Sequence, residues 1–295
     1  MQTTQETILA SDIANFLVPM LSSDFQTKIA NVVDLAHEEM SKARAHAAQA
    51  EKTLLRAVGL GNWQPPEPLT YTRSASDAFA AGRLDADYFA PRVADLLQKL
   101  GNTGMTIGSV APARHERFAL TKEGAFDYIE IGDMRADGTV NSTRLSTEEA
   151  PSRATQHVRT GDVLTSCVRP IRRLSALITP TQDGFVCSSG FVVLQPQAVP
   201  AEVLLTYLRL RAVCELMDLH TSASLYPAIS EADLLALPYH PIPKDAEMQI
   251  VNAVQSSHSA RRKAQALLEA AKRAVEIAIE QNEVEALAYL KEHGA

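Results

Sequence analysis

Five arginines crowd one stretch of this chain. Arg153, Arg159, Arg169, Arg172 and Arg173 stand there against a single acid, Asp162, in a protein whose formal net charge is −7. Five minus one gives a local charge of +4. The guanidinium fork matches phosphate oxygens and the O6/N7 edge of guanine. The run RPIRRLSALI sets Arg169, Arg172 and Arg173 around a tight bend. Thr165, Ser166, Ser188 and Ser189 are near in sequence, and Thr221-Ser222-Ala223-Ser224-Leu225-Tyr226 adds hydroxyls and backbone N–H groups of the kind that hold phosphates. The candidate nucleic-acid contacts are therefore Arg153, Arg159, Ser166, Arg169, Arg172, Arg173, Ser188, Ser189, Ser222, Ser224 and Tyr226. A basic strand edge that prevents aggregation accounts for the same arginines, and the sequence alone leaves both readings open.

Other chemistry finds little support. There is no GxGxxG and no P-loop. Pro65-Pro66, in NWQPPEP, lack the aromatic that follows the proline pair in the catalytic tetrapeptide of amino-methyltransferases, and read as linker. His115, His157, His220 and His240 have no metal-ligand spacing. Asp127, Glu130 and Asp133 are spaced as solvated charges along a strand rather than as a catalytic cluster. Cys167, Cys187 and Cys214 form no CxxC element and no disulfide framework, so they read as reduced thiols. No catalytic residue, metal ligand or cofactor is assigned, and the chain is expected not to be an enzyme.

The 295 residues are 46% hydrophobic and 21% charged, which suits one or two globular domains. Aromatics make up only 5%, so Leu, Ile, Val and Ala must fill the core. No apolar run reaches transmembrane length, and MQTTQETILASDIANFLVPML lacks the basic start of a signal peptide. A cytoplasmic protein with no membrane contact is expected.

The elements that would position the arginines are organised by an internal repeat. The segment beginning at Ser23 aligns without gaps on the one beginning at Lys244, an offset of 221 residues. Ile29 falls on Ile250, Asn31 on Asn252, Val33 on Val254, His37 on His258 and Ala43 on Ala264; upstream, Asp12 falls on Asp233 and Ile13 on Leu234. Both copies read as long helices, roughly 50 Å and 70 Å at 1.5 Å per residue. Ile29, Val33, Met40, Ala43, Ala47, Ala50 and Leu54 recur as a coiled-coil seam does, and Ile250, Val254, Ala264, Leu268, Ala271 and Val275 are their counterparts. Ser257 and Arg261 interrupt the second seam. Pairing of the two helices through small residues is predicted; separate packing of each on the globular part is the alternative.

Between the copies, Gly59 and Gly61 stop the first helix and Pro65, Pro66 and Pro68 stiffen a linker. A short helix is predicted over 92–100, strands over 128–131, 162–168, 174–178 and 191–194, and helices over 202–219 and 230–237. The fold class expected is α+β: one mixed module with a β-rich core, flanked by two long helices paired as an antiparallel coiled coil.

Repeat, module and motifs together resemble the specificity (S) subunits of type I restriction–modification systems. RLDADYFAPR (83–92) looks like the entry to a target-recognition domain of that family. YIEIGDM, GDVLTSCVRP and SSGFVVLQP look like its central strands, and SASLYPAISEADLLALPYHPIP like its exit. Gln249-Ile250 match the Gln–Ile pair that opens the family's conserved helix. The resemblance implies residues 1–22 as the remnant of a preceding recognition domain, 23–60 as a first conserved helix, 61–68 as a linker, 69–242 as the DNA-binding domain and 243–295 as a second conserved helix. Family subunits run domain, helix, domain, helix, so this chain looks half-sized. The implied partners are duplex DNA, adenine methyltransferase subunits, a restriction translocase and a second copy of the chain as a homodimer. The competing class is a coiled-coil adaptor whose module binds another protein.

Overall fold

The computed structural model describes residues 9–120, 123–222 and 225–293. Its contacts divide into two units, residues 46–256 and residues 1–45 with 257–295.

The larger unit takes its elements in this order. Long helix α2 (Ser23–Ala57), preceded in the smaller unit by short helix α1 (Ala10–Ile13), comes first and enters the larger unit at His46. Then follow α3 (Ala75–Ala81), α4 (Pro91–Gly101), α5 (Ile107–Val110), β1 (Ala125–Ile129), β2 (Thr143–Ser146), β3 (Ala154–His157) and β4 (Val163–Ser166). They are followed by β5 (Ser175–Leu177), β6 (Val186–Ser188), β7 (Phe191–Leu194), α6 (Ala201–Leu208), α7 (Arg211–Leu219), β8 (Thr221–Ser222), β9 (Ala228–Ile229) and α8 (Glu231–Ala236). The second long helix, α9 (Lys244–Glu280), leaves the unit after Ser256.

Among the described residues its strands form a four-stranded sheet, β2-β1-β6-β3, a three-stranded sheet, β5-β4-β7, and the pair β8-β9. The second sheet is buried on both faces: β7 is an unbroken apolar run, and the buried hydroxyls of Thr165 on β4 and Ser175 on β5 bond each other at 2.6 Å. Alternate residues point opposite ways. Val163, Val192 and Leu194 join the helical core with Leu54, Leu100, Leu204 and Ile250. Leu164 and Val193 join Ile129, Val158 and Cys187 between the sheets. The helix expected over 202–219 is two helices, because Leu210 is extended (φ −61°, ψ 132°) and starts a new one. Strands β2, β3 and β6 were not expected: TRLS and ATQH are mixed in polarity, and VCS is too short to show a period.

In the smaller unit, α2 and α9 run antiparallel. Ser257 bonds the carbonyl of Ala43 at 2.7 Å, and Lys263 meets Glu39 at 3.1 Å. Phe25, Val32, Ala36, Leu267, Ala271 and Ala274 make the core between them. The seam is shifted from the expected one. Ala43, Ala264 and Ala271 are buried, but Ala47 is exposed and Leu268 is 39% exposed, with Leu267 buried in its place. Ile29, Val33, Met40 and Val275 are half-buried at its margin. Ala50, Leu54, Ile250 and Val254 belong instead to the core of the larger unit, so each long helix has one part in each unit. The second helix also ends earlier than the sequence suggested. Asn282 accepts from the N–H of Glu285 at 2.9 Å and caps a separate helix, α10 (Glu283–His293).

The repeat reaches into local structure. Ser23 and Lys244 each begin a long helix, and Ala10 and Glu231, at the same offset, each begin a short one. Burial differs between the copies. Leu234, Leu237 and Tyr239 are buried in the module's core, whereas Ile13, Phe16 and Val18 are 57%, 62% and 75% exposed.

Candidate nucleic-acid interface

The arginine bend leaves β4 through Ser166, whose hydroxyl donates to the carbonyl of Val168 and accepts from its N–H. Arg169 then takes φ 49°, Pro170–Arg172 make one 3-10 turn, and Arg173 takes φ 61°. Among the described residues these two arginines are the non-glycine positions with positive φ. Such a backbone costs about 1–2 kcal/mol per residue, and Pro170 further disfavours it at Arg169 by restricting the residue before it. The surroundings hold it in place. The Arg169 N–H donates to the carbonyl of Pro227 at 2.8 Å, and Val168 bridges Ala228. Pro170 is buried, and the Arg173 N–H closes the turn on its carbonyl at 2.9 Å.

Four chain segments meet along this edge. The Ser189 N–H donates to the carbonyl of Arg153 at 2.8 Å, the Cys167 N–H to Gly190 at 2.9 Å and the Ile229 N–H to Cys167 at 3.1 Å. The edge thus brings together Arg153, Ser189, Arg169, Arg172 and Tyr226, all with exposed side chains. Arg169 lies 5.4 Å above the Tyr226 ring and donates to the carbonyl of Leu225 at 3.2 Å. Arg153 and Arg172 have no side-chain partner among the described residues. Two apolar side chains that sequence reasoning missed stand beside them, Ile171 at 45% exposure and Leu225 at 79%. Ser222 is exposed in the β8–β9 hairpin, and Ser224 lies outside the described residues.

Four candidates are otherwise employed. Arg159 forks onto Glu116, whose carboxyl it holds below the usual range, and reaches Asp183 at 3.5 Å. Arg173 turns to Glu51 at 2.9 Å and to the carbonyl of Arg209 at 2.5 Å. Ser166 and Ser188 are buried, each accepting from the N–H two residues on. The lone acid counted in sequence, Asp162, is paired with Arg114 at 2.7 Å. The local excess of +4 is therefore offset by Glu116, Asp183 and Glu51, which the fold brings in from elsewhere. Arg114, Arg209 and Glu51 carried no sequence signal, since only the fold places them here.

The three cysteines and two of the histidines are held in structural surroundings. Burial pushes the thiol of Cys167 up to about 11 and those of Cys187 and Cys214 up to about 12, so they stay protonated near neutrality. His157 bonds the carbonyl of Gly184 at 2.9 Å, and His115 meets Glu231 at 3.3 Å. Among the described residues no three of His, Cys, Asp or Glu gather as metal ligands, and no helix is long and apolar enough to cross a membrane.

No protein-family model and no curated protein matches the chain in sequence. Several solved structures are similar in fold, including the following two. One is a chain from a study of complex assembly and conformational transition in the type I R-M system, at 24% identity and a TM-score of 0.46, covering 58% of this chain and 45% of that one. The other is the HsdS subunit from Thermoanaerobacter tengcongensis, at 24% identity and a TM-score of 0.45, covering 60% of this chain and 48% of that one. The similarity thus spans under half of each of those chains.

Proposed function

We propose that this chain is a DNA-specificity subunit of the type I restriction–modification kind, with one recognition module spanning about residues 69–242. The observation that carries the reading is the edge where Arg153, Arg169 and Arg172 converge on Tyr226 and Ser189, fixed by a strained bend. Backbone strain of this kind persists where a rigid scaffold holds it and gathers at binding sites. The sequence motifs of the module and the duplicated helix support the same reading.

On this reading the subunit does no chemistry. Arg153 and Arg172, without side-chain partners among the described residues, neutralise phosphates, while Arg169, oriented over Tyr226, is aimed at a base edge. Adenine methyltransferase subunits dock on polar faces of the long helices that include Glu38, Lys42, Arg262 and Glu269, with a restriction translocase joining the complex. Glu39, half-buried beside that face, is bonded to Lys42 at 2.9 Å and across the two helices to Lys263 at 3.1 Å. Two copies of the chain supply two modules.

A competing reading, an adaptor whose module binds a protein, draws on the exposed Ile171, Leu225 and Tyr226. Salt separates the two. Duplex-DNA affinity should fall linearly with salt on logarithmic axes, with a slope set by the number of phosphates neutralised. Co-expression with a cognate adenine methyltransferase should yield a stable complex and adenine methylation of the host DNA. A chain that shows no salt-dependent retention on duplex DNA and elutes apart from that methyltransferase is not a specificity subunit.

A further inference from the structure

The bend that presents Arg169 and Arg172 is tied to the first long helix by a clamp of three side chains. Arg173 donates through Nε to the carbonyl of Arg209 at 2.5 Å and through Nη2 to Glu51 of α2 at 2.9 Å. Arg209 answers from the break between α6 and α7. Its Nη1 donates to the carbonyls of Arg173 at 2.9 Å and Ser175 at 3.2 Å, and its Nη2 to the carbonyl of Ala136. Arg209 is partly buried, its hydrogen bonds among the described residues go to carbonyls, and the like charge of Arg173 beside it is only partly offset by Asp137 and Glu51. A cation held on carbonyls alone is a costly arrangement. It stands next to a second cost, the positive φ of Arg173. Both are concentrated on one turn, and that turn carries the outward arginines.

We propose that Arg209, Arg173 and Glu51 are positioning residues for sequence readout: they fix the bend in the one conformation that aims Arg169 and Arg172, and Glu51 registers that conformation on α2. The inference rests on the DNA-contact reading above. Its consequence is a division of effects. Loosening the clamp leaves the positive charges of the bend in place, so attraction to phosphates persists. Discrimination between bases is lost, because bidentate contact to a base edge demands fixed geometry.

The test uses the full chain and a pool of duplexes with a randomised centre. Selection with the wild type identifies an enriched duplex. Affinity for that duplex and for the unselected pool is then measured for the wild type, Glu51→Gln, Glu51→Asp, Arg209→Lys and the exposed control Lys52→Ala, together with each Tm. Glu51→Gln and Arg209→Lys are expected to lower the ratio of enriched to pool affinity roughly three- to thirtyfold. Pool affinity and Tm should hold, Glu51→Asp should recover part of the ratio, and Lys52→Ala should match the wild type. A wild-type chain that binds no duplex overturns the DNA reading itself and this inference with it. A discriminating wild type whose ratio is unchanged in both variants overturns the clamp alone. The clamp is equally overturned if both affinities and Tm fall together, since that marks a merely structural role.

Discussion

Ser257 donates its hydroxyl hydrogen to the backbone carbonyl of Ala43 at 2.7 Å, across two antiparallel helices whose side chains are buried at that level. In sequence, Ser257 looked like a fault in an apolar seam. In the structure it is the point of close approach. Ala43 has no exposed surface, so no longer side chain fits opposite it. Ser257→Leu should therefore lower stability by about 1–3 kcal/mol through overpacking. Ser257→Ala should cost only about 1 kcal/mol, the net value of one hydrogen bond. Urea unfolding of the full chain measures both, and a more stable leucine variant would contradict the close approach.

Four of the five arginines should separate into three groups by alanine substitution. Arg153→Ala and Arg172→Ala are expected to weaken binding to all duplexes alike and each to reduce the salt slope by about one. Arg169→Ala should cost about 1–3 kcal/mol at one base position and relax preference there. Arg159→Ala should leave the salt slope as it is, because that side chain is spent on Glu116 and Asp183. Equal slopes for Arg159→Ala and Arg172→Ala would remove the distinction.

This division marks what the sequence could and could not disclose. The repeat was legible to the residue: Ser23 and Lys244 align, and both open a helix. Strand Phe191–Leu194 was legible because it is wholly apolar and bounded by turns. The seam was less so, since an alanine-rich helix presents apolar residues on most of its circumference. Leu267 and Leu268 are adjacent, and only contact with the partner helix selects Leu267. The site was half legible. Charge counting found the bend but counted only the acid within the same stretch. Glu51 lies 122 residues from Arg173, and Glu116 lies 43 residues from Arg159. Positive φ at two arginines has no signature in sequence at all.

The module should lose stability on mild acidification through His220. Burial holds its pKa below 6.5, with Asp233 partly opposing and Arg83 adding to the fall, and its ring stands edge-on to Tyr88. The unfolded chain takes up a proton near pH 6.5, while the folded chain resists until lower pH. Between those two values the unfolded state binds more protons, so stability falls as pH falls. Above pH 6.5 the imidazole is neutral in both states and contributes no slope. Unfolding followed from pH 7.5 down to 5.5 should show the loss, and His220→Asn should flatten it. An unchanged slope in that variant would assign the effect to other groups.

The last prediction concerns the target. One recognition module covers only a few base pairs, too few to single out sites in a genome. On the specificity-subunit reading proposed above, the described residues hold one such module, and a second copy of the chain would supply the other. Two identical chains associate most often through closed two-fold symmetry. A two-fold axis relates the modules by rotation, so they meet the duplex as inverted copies and read inverted half-sites. On the same reading the long helices set the spacing of those half-sites. Helix α2 has 35 residues, about 50 Å at 1.5 Å per residue, or about 15 base pairs at 3.4 Å each. That length bounds the span of the site from above if the modules meet DNA no farther apart than the helix is long. The expected target is therefore an interrupted palindrome methylated on both strands. Methylome sequencing of cells carrying only this chain and its methyltransferase reads it directly. A motif with two unlike half-sites would mean that a different module completes the enzyme, and the symmetric pair would be wrong.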